Sequence, residues 1–232
     1  MIRREARWLV VLLVVAGLVL VFGLLAEEVM EGDTGAFDRR LILLLRQTAD
    51  PSVLLGPAWL PEMLRDLTSL GSTVVLGLVT LVVAGYLAIA RTWRTLALVL
   101  VSILGGQILS TVLKNLFERA RPDLIRGAPE VFTASFPSGH AMLSAVTYLT
   151  LAALLARIEP RPALKRFYLT VGFGLTILVG LSRVARGVHW PTDVLAGWCV
   201  GASWALLCAW VAARLQARGE LNDRDVTPTA PP

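Results

Sequence analysis

The chain has 232 residues, of which 56% are hydrophobic and only 17% charged, and its mean hydropathy is +0.68. Soluble domains carry about 25% charged residues, so an ordinary water-soluble domain is excluded and an integral membrane protein is indicated. The formal net charge of +5 leaves nucleic acid open as a partner only until its distribution is read, and the two cysteines, Cys199 and Cys208, support neither a disulfide framework nor a zinc site.

In chain order the apolar runs are Trp8 to Ala26, Ser72 to Ala90, Thr95 to Leu113, Ala141 to Ala156, Phe167 to Leu181 and Val194 to Ala213. Each approaches the ~20 residues that cross ~30 Å of hydrocarbon. The fourth and fifth are short as counted, and their helices are expected to extend into the polar clusters beside them. The reading is an all-α integral membrane protein, with six transmembrane helices in one domain over 1–214 and a disordered cytoplasmic tail over 215–232.

The first run follows Arg3, Arg4 and Arg7, as a signal peptide would. It exceeds the ~7–15 residues of an h-region, and Leu24 stands where a cleavage site needs a small residue, so an uncleaved helix is expected. Residues 27–71 form the one sizeable loop. Within it Phe37, Leu41, Leu44 and Leu45 recur at helical spacing, and after Pro61 a second face is offered by Leu60, Met63, Leu64 and Leu67. Both predict short amphipathic helices in the interface plane. They serve equally as a rim for an approaching headgroup or as a plain connector.

Charge distribution orients the bundle. Arg3, Arg4 and Arg7 precede the first run; Arg91 and Arg94 follow the second; Arg157, Arg161, Lys165 and Arg166 follow the fourth; Arg214 and Arg218 follow the sixth. These gaps share one side of the membrane, while the opposite loop holds Glu27, Glu28, Glu31, Asp33 and Asp38. Lys and Arg near helix ends mark the cytoplasmic side. Both termini are therefore expected in the cytoplasm, and the basic balance calls for no nucleic acid.

Three polar clusters interrupt this apolar chain. The first runs from Lys114 to Arg121-Pro122, the second is Pro137-Ser138-Gly139-His140, and the third joins Ser182-Arg183 to His189 and Asp193. The charge bias places all three at the non-cytoplasmic ends of their helices. Ionisable groups at membrane depth are costly, which makes the clusters candidates for function. Cations, imidazoles and one orienting acid are suited to handling a phosphate.

Taken singly, Lys114 and Arg121 fit snorkelling anchors better than ligands, and Glu118 offers Lys114 a local partner. Their spacing puts them on one side of a helix, which Pro122 is expected to end at Arg121. Ser138 suits an N-cap, and the free N–H groups after it favour an anion, with Gly139 allowing close approach. Pro191 suits the first position of the last helix, leaving His189 just outside and Asp193 in the first turn. The carboxylate is then close enough to hold one imidazole nitrogen and free the other. Asp193 also suits a helix N-terminus in its own right.

These residues resemble the type 2 phosphatidic acid phosphatase superfamily, whose pattern is Lys-x6-Arg-Pro, Pro-Ser-Gly-His and Ser-Arg-x5-His-x3-Asp. Every position matches, over residues 114–193. The resemblance implies a metal-independent and cofactor-free lipid phosphatase. His189 would attack phosphorus, oriented by Asp193, and form a phosphohistidine; His140 would protonate the leaving oxygen and then activate water. Lys114, Arg121, Ser138, Gly139 and Arg183 would hold the phosphate oxygens. It further implies a site on the outer face of the cytoplasmic membrane and a membrane lipid phosphate as substrate. Undecaprenyl pyrophosphate comes first on general commonness, with phosphatidylglycerophosphate, phosphatidate and lipid A 1-phosphate as alternatives. A vanadate-dependent haloperoxidase shares the pattern but resembles soluble proteins, and a transporter using the cations to hold an anion is the non-enzymatic rival.

Overall fold

The computed structural model describes residues 2–124 and 133–217, with side chains for 8–124 and 133–215. Among the described residues eight helices follow one another: α1 (Ile2–Glu31), α2 (Gly35–Leu43), α3 (Leu60–Ser69), α4 (Thr73–Ile89), α5 (Trp93–Phe117), α6 (Gly139–Ile158), α7 (Pro162–Ala185) and α8 (Pro191–Ala217). Five of them, α1 and α5 to α8, are long and apolar enough to cross a membrane. The remaining expected span, the second in chain order, is α4, of 17 residues, which meets α3 at a bend of 44°. Ser72 caps α4 at that elbow, accepting a hydrogen bond from the Val75 N–H at 3.2 Å. Gly71 makes the elbow possible, because a Cβ there would stand 2.3 Å from Val179 Cγ1 and 3.4 Å from the His140 carbonyl oxygen.

The chain is thus a multi-pass, all-helical membrane protein, and the expected extension of the short fourth and fifth runs into their motifs occurs. The last helix reaches Ala217, so residues 215–217, expected in the tail, are helical; the rest of the tail lies outside the described residues.

Helix α6 is the hub, packed on α5, α7 and α8, while α1 lies along α8. Lipid-facing helices gain nothing from hiding apolar surface from one another, so close packing through small residues has to hold them. Gly197 and Gly201 of α8 supply it: a Cβ on either would lie 2.7 Å from the Ser138 oxygen or 2.5 Å from the Met142 oxygen of α6. Residues Ala141 to Thr147 of α6 are buried in consequence. The outer face of α1, with Leu9, Leu13 and Leu20 at least 61% exposed, is left for lipid.

Helix order puts the ends of α1, α5 and α7 beside the starts of α6 and α8. At the far end Arg214 stacks over the Trp8 and Trp210 rings and Arg157 donates to the Ala212 carbonyl. The basic gaps and the three polar clusters therefore occupy opposite ends of the bundle.

Helix α2 turns the expected stripe outward. Phe37 and Leu44 are exposed, while Asp38 and Ile42 are fully buried. A carboxylate replaces the apolar residues on the inner face because the site supplies its hydrogen-bond donors. Helix α3 likewise leans on α7 and directs Thr68 inward.

Candidate active site

Phe136 anchors the approach to the second cluster. It is fully buried, stacked on Phe22 at 5.8 Å and edge-on to Phe117 at 5.1 Å. This fixes Ser135 on one side of it and Pro137-Ser138 on the other. Ser138 then caps α6, its Oγ accepting from the Ala141 N–H at 3.5 Å, and its own N–H donates to the Asp193 carbonyl at 2.9 Å. The starts of α6 and α8 are thereby tied together.

Helix α5 stops at Phe117, where Glu118 takes a left-handed conformation with φ of 44°. The expectation that the helix continues to Arg121 is therefore corrected. The chain leaves the helix four residues early and carries Arg119 and Arg121 across the mouth of the bundle without regular secondary structure. Arg121 is locked there: Nε donates to the Thr133 carbonyl at 2.9 Å, Nη2 to Thr133 Oγ1 at 3.1 Å, and Nη1 to the Val188 carbonyl at 2.8 Å. The same Nη1 lies 3.0 Å from His189 Nε2.

That contact settles the histidine tautomer. A guanidinium has only donors, so Nε2 accepts and the ring proton sits on Nδ1. Nδ1 faces Asp193 Oδ2 at 3.4 Å and Ser135 Oγ at 3.3 Å. Burial drives the His189 pKa from 6.5 down to about 3, against the opposing pull of Asp193, which leaves a neutral ring with its Nε2 lone pair toward the cavity.

Asp193 is fully buried and fully partnered. Oδ2 accepts from Ser135 Oγ at 2.5 Å and from the Trp190 N–H at 2.8 Å, the latter being a capping contact at the start of α8. Oδ1 accepts from Arg119 Nη1 at 2.6 Å. The helix-terminus role and the orienting role coexist in this one carboxylate.

Behind it stands a network that the spacing of the motifs does not reveal. Arg119 Nη2 donates to Asp38 Oδ2 at 2.7 Å and to Thr34 Oγ1 at 2.9 Å, and the guanidinium lies 5.5 Å from the centre of the Trp190 ring. Thr192 donates to Asp38 through its N–H at 3.0 Å and through its hydroxyl at 2.6 Å. One arginine thus bridges two buried carboxylates, one from α2 and one from α8. Ser135, Arg119 and Asp38 carried only weak signals in the sequence: a polar residue before the second motif, a third cation in the first, and an acid in the loop.

Six of the eight residues expected at the site line one cavity of about 1000 Å³: Lys114, Arg121, Gly139, His140, Arg183 and His189. Lys114 Nζ donates to the Ala134 carbonyl at 2.6 Å and passes against Gly139, where a Cβ would meet its Cε at 3.3 Å. Arg183 is held by Thr68 Oγ1 of α3 at 3.1 Å. Asp193 stands behind His189, and Ser138 is buried with its hydroxyl turned to the helix cap. The cavity wall brings together cations, two imidazoles and the N-terminus of α6, groups of the kind that favour an anion.

The family model described as "PAP2 superfamily" matches residues 95–217. The chain is 39% identical over 155 residues to phosphatidylglycerophosphatase B of Bacillus subtilis, covering 65% of this chain and 74% of the relative. An undecaprenyl-diphosphatase of Sulfolobus acidocaldarius is 32% identical over 94 residues, 40% of this chain and 39% of the relative. Among solved structures, the transmembrane PAP2-type phosphatidylglycerolphosphate phosphatase of Bacillus subtilis superposes with a TM-score of 0.76 at 28% identity, covering 87% of this chain and 96% of that one.

Proposed function

The chain belongs to the PAP2 superfamily and is a lipid phosphatase, and from that premise we propose that it acts through His189 as nucleophile on the terminal phosphate of a membrane lipid. The observation that carries the reading is the His189 ring, whose Nε2 faces the cavity while Asp193 and Ser135 stand at Nδ1.

In the first step the Nε2 lone pair forms a bond to phosphorus, and the P–O bond to the lipid breaks. The Nδ1 proton stays toward Asp193, which stabilises the charge gained by the ring. His140, entering the step as an imidazolium, gives one proton to the leaving oxygen and becomes the neutral ring. In the second step His140 takes a proton from water, the water oxygen bonds to phosphorus, and the N–P bond breaks to free phosphate. Lys114, Arg121 and Arg183 hold the equatorial oxygens, aided by the Gly139 N–H at the start of α6. Fixed cations aimed at developing charge are the main source of rate in such chemistry. Ser138 contributes by fixing that helix start. Metal-independence fits this arrangement: both oxygens of Asp193 and of Asp38 are already engaged by donors.

Phosphatidylglycerophosphate stands first as substrate, ahead of the undecaprenyl pyrophosphate expected from the sequence, because the relative named for it matches far more of this chain. The positive-inside distribution supports a site at the outer face of the cytoplasmic membrane. The test is phosphate release by purified protein from phosphatidylglycerophosphate, undecaprenyl pyrophosphate, phosphatidate and lipid A 1-phosphate, with His189→Ala as control. The expected outcome is release and acid-labile phosphate labelling by the native protein and neither by the variant; release that survives in His189→Ala rejects the mechanism.

A further inference from the structure

Most buried hydroxyls of the long helices are satisfied within the bundle. Thr176 and Ser203 donate to the carbonyl four residues before them, Ser144 and Ser182 to the one three before, and Ser102 pairs with Thr150 at 2.8 Å. Such bonds are the usual resort of a hydroxyl in a helix, since one left unpaired in an apolar medium is costly. Ser110 departs from them. It is 2% exposed and lies on α5 one turn before Lys114, and its hydroxyl has no hydrogen-bond partner among the described residues. It lines the same cavity as His140 and His189.

The hydroxyl stands beside Gly139, the first residue of α6. A Cβ at that position would lie 3.6 Å from Ser110 Oγ, 3.3 Å from Lys114 Cε and 4.0 Å from Lys114 Nζ. A hydroxyl, an ammonium and a helix start, whose first N–H groups have no partner within the helix, thus converge on the one residue of the second motif that has no side chain. Each can donate there, and an oxygen of a bound phosphate would accept from all of them.

We propose that Ser110 is a further phosphate-binding residue, whose hydroxyl donates to the phosphoryl oxygen held by Lys114 and the start of α6. This rests on the lipid phosphatase reading and deepens it. Ser110 lies about 6 Å along the helix from Lys114, toward the bilayer centre, so it meets the phosphate from the side opposite the mouth that Arg121 crosses. A neutral donor suits that place. The cations and carboxylates around the cavity, with Arg119, Asp38 and Asp193 included, already balance one phosphomonoester, and a hydroxyl strengthens the grip without adding charge.

The experiment follows the melting of native protein, Ser110→Ala and Ser102→Ala in detergent as inorganic phosphate is added. A hydroxyl bonded to a charged acceptor is worth about ten-fold in affinity. Without phosphate, Ser110→Ala should melt close to the native protein, because no internal bond is lost. It should then need about ten-fold more phosphate for the same rise in melting temperature. Ser102→Ala, which breaks the pairing with Thr150, is expected to show the reverse: a lower starting temperature and the native response to phosphate. In turnover, kcat/KM for phosphate release from phosphatidylglycerophosphate should fall about ten-fold in Ser110→Ala. A native phosphate response in Ser110→Ala overturns the proposal, even if turnover drops. So does a loss of unliganded stability as large as that of Ser102→Ala, which would make the hydroxyl a packing group. A native protein that phosphate does not stabilise removes the anion site and the proposal with it. Absence of release from every lipid, with the phosphate response intact, rejects the phosphatase reading instead, and the melting comparison still decides the part of Ser110.

Discussion

Arg121 Nη1 sits 3.0 Å from His189 Nε2, with the same nitrogen donating to the Val188 carbonyl just before the histidine. The guanidinium therefore stands on the nitrogen proposed to attack phosphorus. It selects the tautomer in the resting site, and an arriving phosphate offers it oxygens in exchange for that lone pair. In the proposed mechanism, this replacement of one acceptor by another couples substrate binding to release of the nucleophile.

Arg121→Lys tests this coupling. An ammonium cannot span Thr133, Val188 and His189 at once. Phosphate release is expected to fall by about 10²-fold or more, on the scale of losing one preorganised donor. The fall should appear mainly in kcat, because the nucleophile is mispositioned as well as the substrate. A change confined to KM, read from initial rates, contradicts the assignment.

Asp193→Asn keeps the shape but removes the acceptor that holds the Nδ1 proton. An amide can present its NH₂ to the ring and favour the wrong tautomer, and a comparable change in a serine protease triad costs about 10⁴-fold. A loss of about 10³-fold or more in phosphate release is expected, with phosphoenzyme labelling reduced in parallel.

Arg119 holds two carboxylates that are both 0% exposed. Removing one member of a buried ionic network costs about 3–5 kcal/mol because the partners are left uncompensated. Arg119→Leu should therefore lower thermal stability in detergent substantially. Adding Asp38→Asn to it should cost less than the sum of the two single changes. Strict additivity in that double-mutant cycle would show that the bridge is not energetically coupled.

The pH dependence of stability follows from His189. Its ordinary value of 6.5 is lowered to about 3 by burial, so the folded protein excludes a proton that the unfolded chain accepts. The contribution is fully present above about pH 6.5 and is lost as pH falls toward about 3, at up to about 1.4 kcal/mol per pH unit for one proton. Melting between pH 7.5 and pH 4.5 should show a shallower acid decline for His189→Gln than for the native protein. Parallel declines contradict a buried neutral ring.

Gly201→Leu should separate α6 from α8. Even a Cβ there would lie 2.5 Å from the Met142 carbonyl oxygen, against backbone that has nowhere to move. Overpacking of this kind costs about 1–3 kcal/mol. Activity should fall with stability, since His140 opens α6 and His189 stands at the threshold of α8. Unaltered melting and turnover would mean the helices tolerate a wider spacing.

The chain's own order of residues determined the membrane bundle, the shared end for the three polar clusters and six of the cavity's lining residues. These are local properties: length of apolar run, charge beside a helix end, and a proline or serine at a helix start all act within a few residues of one another. Tertiary structure alone decided the rest. Asp38 is drawn inward because Thr192, 154 residues away, and Arg119, 81 residues away, satisfy its oxygens. Helix α5 gives way before Arg121 because that side chain's hydrogen bonds lie with Thr133, Val188 and His189 across the mouth of the bundle. Pairings over such distances leave no periodic trace, since a buried charge is tolerated only where folding has already brought its partners to it.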